Sequence, residues 1–145
     1  MILRNRWKRS RLARRIGRRG AATVEFAIVA PVFILFVLGI VEYGRAMMVQ
    51  QLLTNATREG ARRAVVQGVT ATEASDIVES MLSNAGVTGA EVTVTPTSLA
   101  TIGHGSPLTV SASVLYDDVN WLPVPRFLGS TMMTAQAVMR RETPN

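Results

Sequence analysis

Cysteine is absent from these 145 residues, and histidine occurs once. The first absence excludes disulfides and thiolate-held metals, so a body outside the cytosol must be stabilised by packing. The second leaves His104, set between Gly103 and Gly105, as a solvated loop residue rather than a base. No Ser, His and acid grouping supplies the convergent nucleophile, base and orienter that hydrolytic chemistry needs. No glycine-rich phosphate loop follows a strand, and no internal repeat is present. Asp117 and Asp118, with Asn120, are oxygen donors of the kind hard cations take. Adjacent acids at a strand end are more often turn residues, however. The chain is therefore not expected to be an enzyme, and neither a cofactor nor a metal is expected.

Acidic residues are also absent from residues 1–20. That stretch holds nine Lys/Arg: Arg4, Arg6, Lys8, Arg9, Arg11, Arg14, Arg15, Arg18 and Arg19. The formal net charge is +6, yet the rest of the chain has seven basic against ten acidic residues, a net −3. The basic character belongs to an arm, not to a folded body. A basic arm binds nucleic acid through phosphates in other settings. Here Trp7 is its only aromatic residue, no base-reading motif follows, and a membrane-length apolar run abuts it. Lys/Arg excess beside such a run holds the N-terminus in the cytoplasm, among anionic headgroups. No nucleic-acid partner is expected.

Residues 26–41 carry no formal charge, and counting back to Ala21 gives twenty-one residues with a single one, Glu25. About 20 apolar residues cross a bilayer as a helix. A carboxylate inside such a helix costs about 2.5–3.5 kcal/mol on insertion scales, so Glu25 is expected to have a partner and a role. Pro31 lacks an N–H, and a kink or local melting point is expected there. A cleavable signal peptide would need small residues in an Ala-x-Ala-like arrangement after the apolar core. Val41-Glu42-Tyr43-Gly44-Arg45 offers none, so the helix should be retained as a single-pass anchor in the lipid bilayer, N-terminus inside and C-terminal body outside.

Helical patterning continues beyond it. Ala46, Val49, Leu53, Ala56, Gly60 and Ala64 recur at steps of three and four and share one narrow face. Gly68 is a natural stop. A helix over about residues 22–67 is predicted, roughly 65–70 Å long at 1.5 Å per residue. Asn55-Ala56-Thr57 is a chance sequon inside it. Thr70 with Glu73 forms a capping box that opens a second helix, with Ala74, Ile77, Val78, Met81 and Leu82 on its apolar face. Strict alternation then marks strands at 91–95, 108–116 and 132–141. The loops between them carry His104 and, around Pro123 and Pro125, Trp121 and Phe127, which are expected to be core anchors rather than an interface patch. Strands that follow helices rather than alternate with them argue for an α+β fold with a small antiparallel sheet.

One junction is more specific than the rest. Arg18-Arg19-Gly20 followed by Ala21-Ala22-Thr23-Val24-Glu25-Phe26 and an apolar helix resembles the processing site of type IV prepilins. The longer run from Gly20 to Pro31, with Glu42-Tyr43-Gly44 and Asn55-Ala56-Thr57-Arg58-Glu59-Gly60-Ala61-Arg62, resembles the TadE family, pseudopilins of Tad (Flp) pilus machines. The resemblance is strong over about residues 18–66 and weak beyond.

It implies a minor pilin of Tad/Flp pilus assembly or a related secretion system, in the bacterial inner membrane with access to the cell surface. Its partners would be a prepilin peptidase, other pilins or pseudopilins and the Tad inner-membrane assembly machinery. The peptidase would cut after Gly20, removing residues 1–20. The transmembrane and extended helix over 21–67 and an extracytoplasmic pilin-like α+β domain over 68–145 would remain. Glu25 would then pair with a neighbouring subunit's new N-terminus at Ala21 and set assembly register. The family's N-methylated position falls on Ala21, where pilins commonly carry phenylalanine. The alternative is a single-pass anchored adhesin or binding domain outside any pilus, with its function in residues 87–145.

Overall fold

A computed structural model describes residues 6–66, 68–99, 103, 105–119 and 128–141, with side chains from Gly20 onward. His104, Asn120, Trp121 and Phe127 lie outside the described residues, as do the side chains of Arg18 and Arg19. In order, the elements are α1 (Arg6–Ala64), α2 (Ala71–Asn84), β1 (Glu91–Thr95), β2 (Pro107–Leu115), α3 (Tyr116–Val119) and β3 (Met132–Arg140). The chain divides into two compact units that part between Ile40 and Val41.

The first unit is helical. Helix α1 begins at Arg6, well before the predicted start near residue 22. Arginine, leucine and lysine are strong helix formers, and neither a proline nor an acid interrupts them here. The helix is continuous through Pro31, the position expected to kink or melt locally. Among the described residues, only the stretch Gly20–Ala64 is long and apolar enough to cross a membrane, and its most apolar 18-residue window is wholly unburied. Residues 32–36 are all large and apolar and each is 49% to 66% exposed. Five successive positions exceed one turn, so no face is left polar. A helix that is apolar all round needs lipid or protein around it, consistent with single-pass anchoring.

In the second unit a three-stranded antiparallel meander, in the order β1-β2-β3, carries the helices on one face. The pleat of β2 puts Leu108, Val110, Ala112 and Val114 into the core, as their alternation predicts. Their neighbours across the sheet are Val94 on β1 and Met133 and Ala137 on β3. The α1 face predicted from three- and four-residue steps is buried from Val49 through Leu53, Ala56 and Gly60 to Ala64. Helix α2 contributes Ala74, Val78 and Leu82, whereas Met81, expected on that face, is exposed. Its capping box is formed on both sides. The Glu73 amide donates to Thr70 Oγ1 at 3.2 Å, and the Thr70 amide donates to Glu73 Oε2 at 2.8 Å. Gly86, at φ +78, ends the helix and lets the Val87 amide reach the Leu82 carbonyl at 2.9 Å. Tyr116, expected at the end of the second strand, instead opens the single turn α3 and is fully buried.

Candidate functional site

The N-terminal part of the site lies on α1 from Gly20 to Pro31. Gly20 is helical and exposed, and a Cβ built on it would meet nothing within 4 Å. Packing therefore does not require glycine at this position, although glycine weakens a helix by about 1 kcal/mol relative to alanine. Ala21 and Glu25 are four residues apart, one turn along the same face. Glu25 is exposed, and among the described residues it makes no hydrogen bond or ion pair.

A second constellation was not read from the sequence. Glu42 is only 1% exposed. Its Oε1 accepts the Leu128 amide at 3.0 Å, and its carbonyl accepts the Tyr116 hydroxyl at 2.9 Å. One turn further along, Arg45 Nε donates to the Val119 carbonyl at 3.3 Å. The carboxylate and the guanidinium thus hold the residues that end α3 and precede β3 against α1. Burial raises the Tyr116 phenol above its ordinary value, and the nearby Glu42 charge adds to this while Arg45 opposes it. The signal was available in the spacing: Glu42 lies seven residues ahead of Val49, on the face that goes on to bury Leu53 and Ala56. As a charged residue it was not counted among the apolar positions.

Further along the same face, small residues bring the elements close. Thr57 is fully buried and returns its hydroxyl to the Leu53 carbonyl at 2.9 Å, which satisfies its buried polar group. A Cβ on Gly60 would collide with the Val78 side chain of α2 and meet Val110 of β2 at 3.5 Å. On the solvent side Glu59 takes two hydrogen bonds from Arg62, at 2.7 and 2.8 Å, and one from Arg63 at 2.9 Å. These bonds lower the Glu59 carboxyl from 4.5 to about 2. A depressed carboxylate contributes stability above its unfolded value, and that contribution is lost as the pH falls through the folded one. The wild-type unfolding midpoint is therefore expected to drop between about pH 4.5 and 2 more steeply than that of Glu59→Gln, as followed by circular dichroism. Equal slopes would show that the clamp has no effect on folding.

Among the described residues, no three or more His, Asp or Glu side chains gather where a metal ion would be held. Asp118 is exposed at α3 and Asp117 is half-buried beside it.

Comparison with known proteins places the two constellations in one matched span. Residues 20–62 match the family model described as TadE-like protein. No curated protein and no solved structure matches the chain. The matched span starts at Gly20, includes Glu25, Glu42 and Gly60, and stops two residues short of the end of α1.

Proposed function

We propose that this chain, TadE-like over residues 20–62, is a minor pilin-like subunit that a prepilin peptidase cuts between Gly20 and Ala21. The TadE-like family suggests a non-enzymatic, minor-pilin-like role connected with Tad pili. The finer reading places the subunit in Tad/Flp pilus assembly or a related secretion machine. It sits in the inner membrane, N-terminus in the cytoplasm, and its partners are the peptidase, other pilins or pseudopilins and the Tad inner-membrane machinery.

The observation that carries this reading is the start of the family match at Gly20, a glycine that the fold itself does not require. At that position a missing side chain leaves the peptide accessible and lowers the cost of unwinding one turn for a peptidase. Cutting there removes the nine leader cations. It also leaves an α-ammonium on Ala21, whose ordinary pKa near ~8 keeps it largely charged at neutral pH. One turn away, Glu25 supplies the opposite charge. Pairing between them, within a chain or between neighbours, offsets part of the cost of holding either charge in a low-dielectric helix bundle.

Intact-mass and N-terminal analysis of protein extracted from cells with an active prepilin peptidase should show a chain that begins at Ala21. Recovery of only the full-length chain from those cells would overturn the processing step.

A further inference from the structure

The chain enters the second unit without a spacer. Val41 ends the charge-free run, and the next residue, Glu42, is already held by the body. Its carboxylate accepts the Leu128 amide, its carbonyl accepts the Tyr116 hydroxyl, and Arg45 donates to the Val119 carbonyl one turn on. These bonds gather α3 and the turn before β3 beside the first turn of α1 that belongs to the unit. Met132 joins the same end. It follows the turn in which the Thr131 amide donates to the Leu128 carbonyl at 2.8 Å. Two residues further on, the Thr134 carbonyl, on the edge of β3 that β2 leaves open, accepts Gln50 Nε2 at 2.8 Å. Tyr43, Met47 and Gln50, at steps of four and three, share one face of α1, so Tyr43 and Met47 lie on the β3 side of the helix. The large side chains here meet solvent: Tyr43 is 62% exposed, Met47 55% and Met132 59%.

Chain length sets the depth of this end. Residues 21–41 extend about 31 Å at 1.5 Å per residue, the thickness of a bilayer's hydrocarbon core. The headgroup layer beyond it is about 5–8 Å deep on each side. Tyr43 follows Val41 by about 3 Å and Met47 by about 9 Å, so Tyr43 falls within that layer and Met47 at its outer limit. We infer that this end of the second unit is a lipid-contact surface, with Tyr43, Met47 and Met132 seated in the headgroup–acyl boundary. The inference rests on the reading of residues 21–41 as a membrane span. Lipid is the occupant because the exposed apolar surface continues directly from that run. The one charge between Val41 and Tyr43, Glu42, is turned into the body. A tyrosine at this depth keeps its ring against acyl chains and its hydroxyl in water, the arrangement that enriches the residue at membrane interfaces. No particular headgroup is selected, since Asp117 and Asp118 on α3 offset Arg45.

The absence of native cysteine allows each depth to be read by one introduced thiol. Full-length chains carrying Leu35→Cys, Tyr43→Cys, Met132→Cys or Thr72→Cys are labelled with a fluorophore and placed one per disc in phosphatidylcholine nanodiscs. Circular dichroism checks that each keeps the wild-type fold. With nitroxide on the lipid headgroups, labels at 43 and 132 should lose about half of their emission or more. The label at 72, exposed in the first turn of α2, should keep nearly all of its emission, because α2 packs on α1 near Gly60, about 28 Å beyond Val41. With nitroxide in the acyl chains, the label at 35 should be quenched. Quenching at 35 with full emission at 43 and 132 would leave the span standing and overturn the lipid contact. No quenching at 35 would remove the span and the contact with it. Quenching at 43 and 132 that disappears when two chains share a disc would overturn the inference in favour of a second copy on this surface.

Discussion

Replacing Glu25 with alanine is expected to abolish piliation while leaving the chain in the membrane. The carboxylate contributes nothing visible to the chain's own fold. It is exposed on α1, and among the described residues it makes no hydrogen bond or ion pair. Its removal takes a charge out of an apolar helix, which favours insertion by about 2.5–3.5 kcal/mol. A loss of assembly would therefore arise between subunits, where the proposed reading pairs Glu25 with the new N-terminus of a processed neighbour. Glu25→Gln separates charge from shape, since it keeps an acceptor of the same length and should fail nearly as completely. The measurements are the pilus yield in a sheared fraction and the membrane content of the variant chain. Normal piliation by Glu25→Ala would count directly against a role in assembly register.

The second large effect is expected at Gly60. Glycine inside a helix ordinarily costs about 1 kcal/mol relative to alanine, so on local grounds a larger residue should stabilise α1. The packing reverses that expectation. A Cβ here collides with Val78, which is fully buried and stiff at χ1 because it is β-branched, and approaches Val110 and the Ala74 carbonyl at 3.5 and 3.6 Å. Overpacking of this kind costs about 1–3 kcal/mol and occasionally more, and leucine adds three carbons beyond the Cβ. Gly60→Leu is expected to destabilise the second unit by about 2 kcal/mol or more. For a body of roughly a hundred residues this lowers the midpoint by roughly 8–16 °C. Thermal unfolding of the full chain in detergent, followed by circular dichroism, measures it. An unchanged midpoint would mean that α1 does not dock on α2 and β2 at this point.

Several parts of the architecture were legible residue by residue. Period-two alternation in β2 put Leu108, Val110, Ala112 and Val114 inside, and the capping box at Thr70 and Glu73 located the start of α2. The apolar run after Gly20 and its single carboxylate marked both the candidate anchor and the junction where the family match begins. Each of these signals is local: it depends on the backbone period, on the reach of one side chain to an amide three residues away, or on hydrophobic length.

What the tertiary structure decided was where separate periods meet. Glu42 is bonded to groups 74 and 86 residues away, and no window of sequence contains both ends of such a contact. Gly60 reads as a flaw in a helix until α2 and β2 are seen against it. The parity that turns the backbone groups of Gln136, Val138 and Arg140 outward depends on which edge of β3 meets β2, and a one-residue slip would reverse it. By itself, the sequence determined the α+β order, the membrane-length helix and the Gly20–Glu25 spacing, because those depend on neighbours along the chain. The buried carboxylate, the glycine contact and the open edge came only from folding, because they depend on neighbours across it.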